Sequence, residues 1–379
     1  MDDYDLTIIG GGPAGATLAR LLADKYRILL IDKARPKCCG GLLAPDAQKM
    51  IARLGLVLPD SVLNGPQLFS VLVHDFDAKS GSEHHTDFFS SPQYQRHYIN
   101  MSREKFDQWL VSLIPSNVDV LTPARYLGCE PNGPNGKLTL RYQRNDTQNG
   151  GSGNDDDNDN SNDAITTATT RVLIGADGAF SNVRRQFVPP HRDRELYVAV
   201  QHWFEPGLHS SCYGAIFDRE ITDYYGWTIP KGDQLIVGAA MPAHCKVRER
   251  FACLVEKLRK IGLPLEKETF RESAQIVRPR SWRAVCPLVQ NQPIALLGEA
   301  AGWVSPSSAE GISYAMRSAV ALADALLWGI DDFQKRYMRN LLPLYLNLGF
   351  KHVKRPAMYW PLLRNVIIKS GLKTLDVRK

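Results

Sequence analysis

Six residues, Gly10 to Gly15, constrain what this chain can fold into more than any other stretch. They follow Leu6-Thr7-Ile8-Ile9, a short apolar run of buried-strand type. Behind them Ala16, Leu18, Ala19, Leu22 and Ala23 recur at helical spacing and give a small, apolar face. A second apolar run, Ile28-Leu29-Leu30-Ile31, ends in Asp32 and Lys33. Strand, glycine turn, helix, strand and acid in that order predict a βαβ unit that holds an adenine dinucleotide. Gly10 permits the tight turn, Gly12 lets the backbone approach a pyrophosphate, and Gly15 lets the helix pack close to the sheet. Pro13 and Ala14 open the helix, whose amide donors and macrodipole favour negative charge. Asp32 lies 22 positions after Gly10 (32 − 10), a spacing suited to hydrogen bonds from an adenosine ribose.

The remaining composition is that of an ordinary globular chain. With 379 residues, 44% of them hydrophobic and 23% charged, it is long enough for two or three domains. The acidic start, Met1 to Asp5, does not resemble a signal peptide, and no run of eighteen apolar residues predicts a membrane span. Seven scattered cysteines fit a reducing compartment, so a cytosolic location is expected. The net charge of +6 hides two opposite biases. A polar stretch from about 145 to 170, acidic between Asn154 and Asp163, reads as a disordered surface loop. It lacks the spacing and terminal Glu of a calcium loop, and no metal site is expected. From Phe333 to Leu375 there is no Asp or Glu, while nine Lys and Arg are interleaved with apolar and aromatic residues. That pattern fits either basic helices packed on the body or peripheral contact with an anionic membrane. No nucleic-acid module accompanies the charge, so nucleic acid is not expected.

Two later segments say which dinucleotide. Val172-Leu173-Ile174 runs into Gly175-Ala176-Asp177-Gly178, and Ile294 to Leu297 runs into Gly298-Glu299-Ala300-Ala301-Gly302, with Pro306, Gly311 and Ile312 beyond. This order resembles the flavoprotein hydroxylase and geranylgeranyl reductase superfamily, over nearly the whole chain outside the 145–170 insert. The resemblance implies FAD. It places Asp177 and Gly178 near the pyrophosphate, and Gly298, Glu299, Pro306, Gly311 and Ile312 along the ribityl chain and flavin. The segment Ile99 to Asp107 is similar to the superfamily's R-x-x-F-D stretch, in which Arg103 would reach the cofactor. The superfamily usually has Asp where this chain has Glu299, so the carboxylate is displaced by about one bond length, with water able to bridge.

Lys37-Cys38-Cys39-Gly40-Gly41 resembles the P-x-x-C-G-G region of geranylgeranyl reductases, which sets Cys39, Gly40 and Gly41 beside the flavin. Tyr225 to Lys231, with Gly238 ending the next strand, is similar to the Y-x-W-x-F-P motif that lines their substrate cavity. Within those reductases the chain resembles the CbrA-type branch, through Cys39 to Gln48, Ile221 to Trp227 and Glu299. The implied reaction is reduction of C=C bonds in a prenyl or similar hydrophobic lipid. Cys39 would serve as acid, and the rings of Tyr225 and Trp227 would face developing positive charge. Tyr225 and Trp227 alternate along a strand and so share one face, which as a plain core position needs no substrate. An FAD-dependent aromatic monooxygenase and a flavin halogenase share these cofactor motifs and stay open. Against a halogenase, Ala309 stands where those enzymes place a serine and no active-site lysine motif is seen, with Lys79 and Lys231 the lysines left open. No second glycine motif marks an NADPH site, so NADPH, ferredoxin and quinol donors all stay open.

The expected architecture is α/β. A discontinuous Rossmann-like FAD domain comprises 1–66, 99–189 and 286–330. An interwoven mixed or antiparallel β-sheet substrate domain comprises 67–98 and 190–285. C-terminal helices follow over 331–379.

Overall fold

The computed structural model describes residues 2–35, 37–77, 82–87, 97–132, 136–144, 165–191, 194–207, 210–364 and 377–378. Its first elements are β1 (Asp2–Ile9), α1 (Pro13–Leu22), β2 (Ile28–Ile31), β3 (Leu42–Leu43), α2 (Pro45–Arg53), β4 (Ser70–Asp75) and β5 (Ser82–Asp87). Next come β6 (Ile99–Asn100), α3 (Arg103–Ser112), β7 (Asp119–Leu121), β8 (Ala124–Asn132), β9 (Lys137–Arg144), β10 (Ile165–Gly175) and α4 (Asn182–Phe187). The second half holds β11 (Arg194–Glu205), β12 (Cys212–Phe217), β13 (Gly226–Lys231), β14 (Gln234–Pro242), α5 (Val247–Lys260) and β15 (Lys267–Pro279). Last are β16 (Ile294–Leu296), α6 (Gly298–Ala301), α7 (Ile312–Leu326), α8 (Phe333–Asn340), α9 (Leu342–Tyr359) and β17 (Val377–Arg378).

Two large sheets carry the molecule. The first runs β7-β2-β1-β10-β9-β8, with β16 parallel to the end of β10. Of its parallel strands, β2 and β16 are buried throughout and β1 and β10 at their carboxyl-terminal ends, as helix-covered parallel strands must be, while β7 at the edge is partly exposed. Leu6, Ile8, Leu30, Ile174 and Leu296 are all inaccessible to solvent, and Leu18, Leu22, Leu322 and Leu326 from α1 and α7 pack in the same core. The second sheet runs β15-β11-β14-β13-β12-β4-β5-β17 and is antiparallel except for β12 beside β4. Its strands alternate between two cores. Leu235, Val237, Ala239 and Met241 of β14 meet Phe251, Leu254 and Leu258 of α5. Ile236 and Ala240 point the other way, toward Trp227, Ile229 and Tyr197. One face of this sheet is thus sealed by a helix and the other is turned toward the first sheet.

Three expectations from the sequence need correction. The polar stretch does not continue to residue 170. Ile165–Thr170 is the first half of β10, paired with β9 on one side and β1 on the other. Ile165 and four threonines favour extended backbone once a neighbouring strand can pair with them; residues 145–164 lie outside the described ones. The C-terminal region is not entirely helical, because Val377–Arg378 extends the second sheet by pairing with β5. Two residues of edge strand carry no periodicity that a sequence reading could detect. Gly238 lies in the middle of β14 rather than at its end.

Candidate cofactor and substrate site

The carboxyl ends of β1, β2 and β10 open into a cleft of about 2550 Å³ that reaches across to the second sheet. Pockets for one drug-sized ligand are roughly 300–1,000 Å³, so this cleft has room for a dinucleotide and a second molecule.

The glycine turn shapes one end. Gly10 has φ +106°, and a Cβ there would lie 2.5 Å from the Ala176 carbonyl oxygen, so only glycine lets β1 and β10 deliver their loops side by side. Gly12 begins α1 with open space around it and no side chain capping the helix. The first amides of α1 therefore face the cleft without an internal acceptor, the arrangement that binds phosphate. Asp32 is held in place by the Gly11 and Ala34 amides, which donate to its two oxygens at 2.9 and 3.0 Å. Asp177 uses one carboxylate oxygen to cap α4 through the amides of Asn182 and Val183. Its other oxygen is buried without a partner among the described residues, and burial raises its pKa. Uncapped amides at one point and an orphaned acceptor at another are what a bound dinucleotide would satisfy.

Most residues singled out in the sequence meet here. Gly10, Gly12, Pro13, Ala14, Asp32, Lys33, Cys39, Gly40, Gly41, Arg103, Asp177, Gly178, Tyr225, Trp227, Gly298, Glu299, Gly311 and Ile312 all line the cleft. Gly15 and Pro306 do not. Gly15 packs against the Gly10 carbonyl, where a Cβ would sit at 1.9 Å, and Pro306 is buried behind the wall. Glu299 is already engaged, accepting from Lys37 Nζ at 2.8 Å and the Val277 amide at 3.0 Å. Although burial opposes its charge, these partners hold the carboxyl below its usual range. Through the Val277 amide Glu299 ties β15 to α6.

A charged cluster underlies the Cys39 loop. Arg103 opens α3, where Asp107 one turn on accepts from its Nε at 2.9 Å, and the guanidinium also contacts Cys39. Lys231, at the inward end of β13, is 5% exposed and donates to the Met101 carbonyl at 2.7 Å and the Gly41 carbonyl at 3.2 Å. With no carboxylate beside it, burial lowers its pKa to about 7. Lys231 belongs to the same alternation as Tyr225, Trp227 and Ile229, a signal the sequence contained. Lys79 lies outside the described residues.

Trp227 anchors the far wall. In register across the sheet stand Val73, Ala215, Trp227, Gly238, Gln201 and Glu272. A Cβ on Gly238 would lie 2.4 Å from the indole, so its absence lets the ring cross β14. Trp227 Nε1 then donates to Gln201 Oε1 at 2.9 Å. Gln201 Nε2 donates in turn to Glu272 Oε1 at 2.8 Å and Cys38 Sγ at 3.3 Å. Burial raises the pKa of both the Glu272 carboxyl and the Cys38 thiol. Gln201 was missed from sequence, although a Gln at the inward register of an otherwise apolar strand, after Tyr197 and Ala199, marks it.

Three phenols tie this wall to the loop before α7. Tyr224 donates to the Ser305 carbonyl at 3.1 Å, Tyr225 to the Ser308 carbonyl at 2.8 Å, and Tyr359 of α9 to the Ser307 carbonyl at 2.6 Å. Ala309, with φ +50°, donates its amide to Tyr224 Oη at 2.6 Å. The phenol of Tyr225 is thus committed to positioning the loop, and its ring, 5.6 Å from that of Trp227, faces the cleft.

No protein-family model matches the chain. It is similar to Protein CbrA of Escherichia coli O139:H28, 37% identical over 381 aligned positions that cover 98% of each chain. In structure it resembles a geranylgeranyl bacteriochlorophyll reductase-like protein of Thermoplasma acidophilum, with a TM-score of 0.70, 17% identity, and coverage of 97% and 99%. It also resembles the p-nitrophenol 4-monooxygenase PnpA of Pseudomonas putida DLL-E4, with a TM-score of 0.71, 16% identity, and coverage of 98% and 95%. The fold is therefore one shared by a monooxygenase and a reductase-like protein.

Proposed function

The chain belongs to the family of Protein CbrA, and from that premise we propose that it is an FAD-dependent oxidoreductase that reduces C=C bonds of a hydrophobic, prenyl-type substrate. The observation that carries this reading is the continuity of the cleft, from the uncapped amides of α1 to the aromatic and aliphatic wall of the second sheet. Gly10 to Ala14, Asp32, Arg103, Asp177, Gly298 and Gly311 would hold FAD, which supplies hydride-transfer chemistry when bound. Val71, Val73, Tyr213, Ala215, Trp227 and Ile229 give an apolar surface that would bind a hydrocarbon and exclude water. The indole face of Trp227, fixed by Gln201, presents negative π density to any cationic character in the substrate, worth about 0.5–2 kcal/mol. Cys39 and Lys231 are the proton-carrying groups at this end. Cys39, beside the Arg103 guanidinium, would serve as the acid, and Lys231, its pKa lowered to about 7 by burial, lies under the same loop.

Electron donors, NADPH among them, are to be compared in one anaerobic stopped-flow experiment, with dithionite as reference. Reduced protein is then mixed with either a geranylgeranyl-type lipid or air. Reoxidation by lipid without oxygen, yielding a saturated product, is the expected result. Reoxidation by air alone would overturn the reductase reading and favour an aromatic monooxygenase, a reading that the similarity to PnpA supports.

No helix among the described residues is long and apolar enough to cross a membrane. Leu342, Leu346, Phe350 and Val353 form an exposed stripe on α9, which supports peripheral membrane contact by this helix. Replacing Leu346 and Val353 with Glu should abolish flotation with anionic liposomes, and unchanged flotation would remove the helix from consideration.

A further inference from the structure

A second cleft, of about 870 Å³, lies on the other side of α9, against the end of β15. Arg278 of β15 lines it and is wholly buried. Its guanidinium lies 4.1 Å from the ring centre of Tyr224, 5.0 Å from that of Tyr359 and 5.2 Å from that of Tyr197. Only Nη1 is engaged, donating to Tyr197 Oη at 2.8 Å and to Asp223 at 3.0 Å (Oδ2) and 3.3 Å (carbonyl). Nε and Nη2 meet no acceptor among the described residues. From α9, Arg355 faces the same space and makes no ion pair among the described residues, and its charge is disfavoured first by burial and then by Arg278. His352, one turn earlier, has a buried Nε2 without a partner.

Of the other cations that line the cleft, Arg219 is exposed to water and two are matched. Arg280 is paired with Glu195, and Arg364 with Asp75 and Asp77. Asp218 is taken by Lys257. Two guanidinium groups therefore share the Asp223 carboxylate, which is itself half exposed to water, and burial keeps the adjacent His352 imidazole neutral. Uncompensated positive charge at a buried site is unfavourable. An anion with several acceptor oxygens would offset the charge of both arginines and accept from the imidazole, and arginine forks suit phosphoryl oxygens.

We propose that this cleft is a phosphoryl-anion site, held by Arg278, Arg355 and His352, which takes the acidic head of an amphiphilic ligand. Phe217 and Arg364 line both this cleft and the large one. In this proposal the apolar part of such a ligand would run beside Phe217 toward Trp227. That continuity rests on the hydrophobic-substrate reading above, whereas the anion site does not.

The test is calorimetric titration of inorganic pyrophosphate into the full-length, FAD-loaded protein at low ionic strength. Wild-type protein should bind, Arg355→Glu should weaken binding by about tenfold or more, and Arg355→Gln by less. Lys335→Gln, which removes a surface pair with Asp332, should have no effect. Absence of wild-type binding, or equal binding by wild type and both Arg355 variants, overturns the proposal. Flotation on phosphatidylglycerol vesicles that requires Arg355 and is displaced by pyrophosphate would assign the head to a lipid. Pyrophosphate binding without flotation would assign it to a free phosphorylated molecule, and both results support the site. The titration needs no turnover, so failure of the reductase reading leaves it interpretable.

Discussion

Gly238 shows how much of the site depends on a missing side chain. Its replacement by alanine would put a methyl group into the Trp227 indole and force the ring away from Gln201. Gly238→Ala should cost about 1–3 kcal/mol in chemical denaturation and change the near-ultraviolet dichroism of the tryptophans; an unchanged spectrum with full stability would refute the assigned contact. Lys231 makes a prediction of a different kind. Its pKa is lowered to about 7 in the folded protein, against about 10.4 in an unfolded chain. Between these pH values the unfolded chain keeps a proton that the folded one has lost, so stability rises with pH across that window. Lys231→Met should remove this rise, worth up to about 3 kcal/mol between pH 7 and 9.5. Urea denaturation at the two pH values checks it, and parallel pH dependences in variant and wild type would count against the buried, uncompensated ammonium.

At the level of elements, the join between β9 and β10 is the most open to redesign. Gln143 and Ile165 are paired in register, so the strand ends on either side of residues 145–164 are close together. Replacing that stretch with a four-residue turn should keep flavin binding and raise stability by about 1 kcal/mol through the shorter closure. A thermal melt and a flavin absorbance ratio would check this, and loss of fold would show that the segment holds the sheet together. The same strands show what was legible in the sequence. The unit β1-α1-β2 could be read because its glycines, apolar runs and acid act through neighbours within 22 positions (32 − 10). The first half of β10 could not, because its strand character comes from pairing with β9 across residues 145–164 and with β1, more than 160 positions away (168 − 2). The Trp227–Gln201 bond was hidden for the same reason, since it needs the register of two strands across a third. Cys39 and Arg103 were found by motif, while their meeting with Lys231 required the fold.

On the scale of the whole molecule, the C-terminal region is fixed by specific charges more than by its general basicity. Arg364, 4% exposed, donates to both carboxylate oxygens of Asp75, at 2.7 and 2.6 Å, and to Asp77 at 2.9 Å. Lys351 faces Glu310 and Asp46, and Arg336 donates to backbone carbonyls at the end of α7 and beyond. Arg364→Met should leave Asp75 buried without its counter-ion and cost about 3–5 kcal/mol. Hydrogen exchange should then show faster opening of α9 than of β1 or β10, and uniform protection in the variant would argue against this clamp. The three phenols that reach the loop at 305–309 come from β13's approach and from α9, and that loop leads directly into the start of α7, which lines the large cleft. If FAD binds as proposed, grip on the C-terminal helix and grip on the nucleotide are two readings of one equilibrium: whatever tightens the loop from one side must, by reciprocity, tighten it from the other.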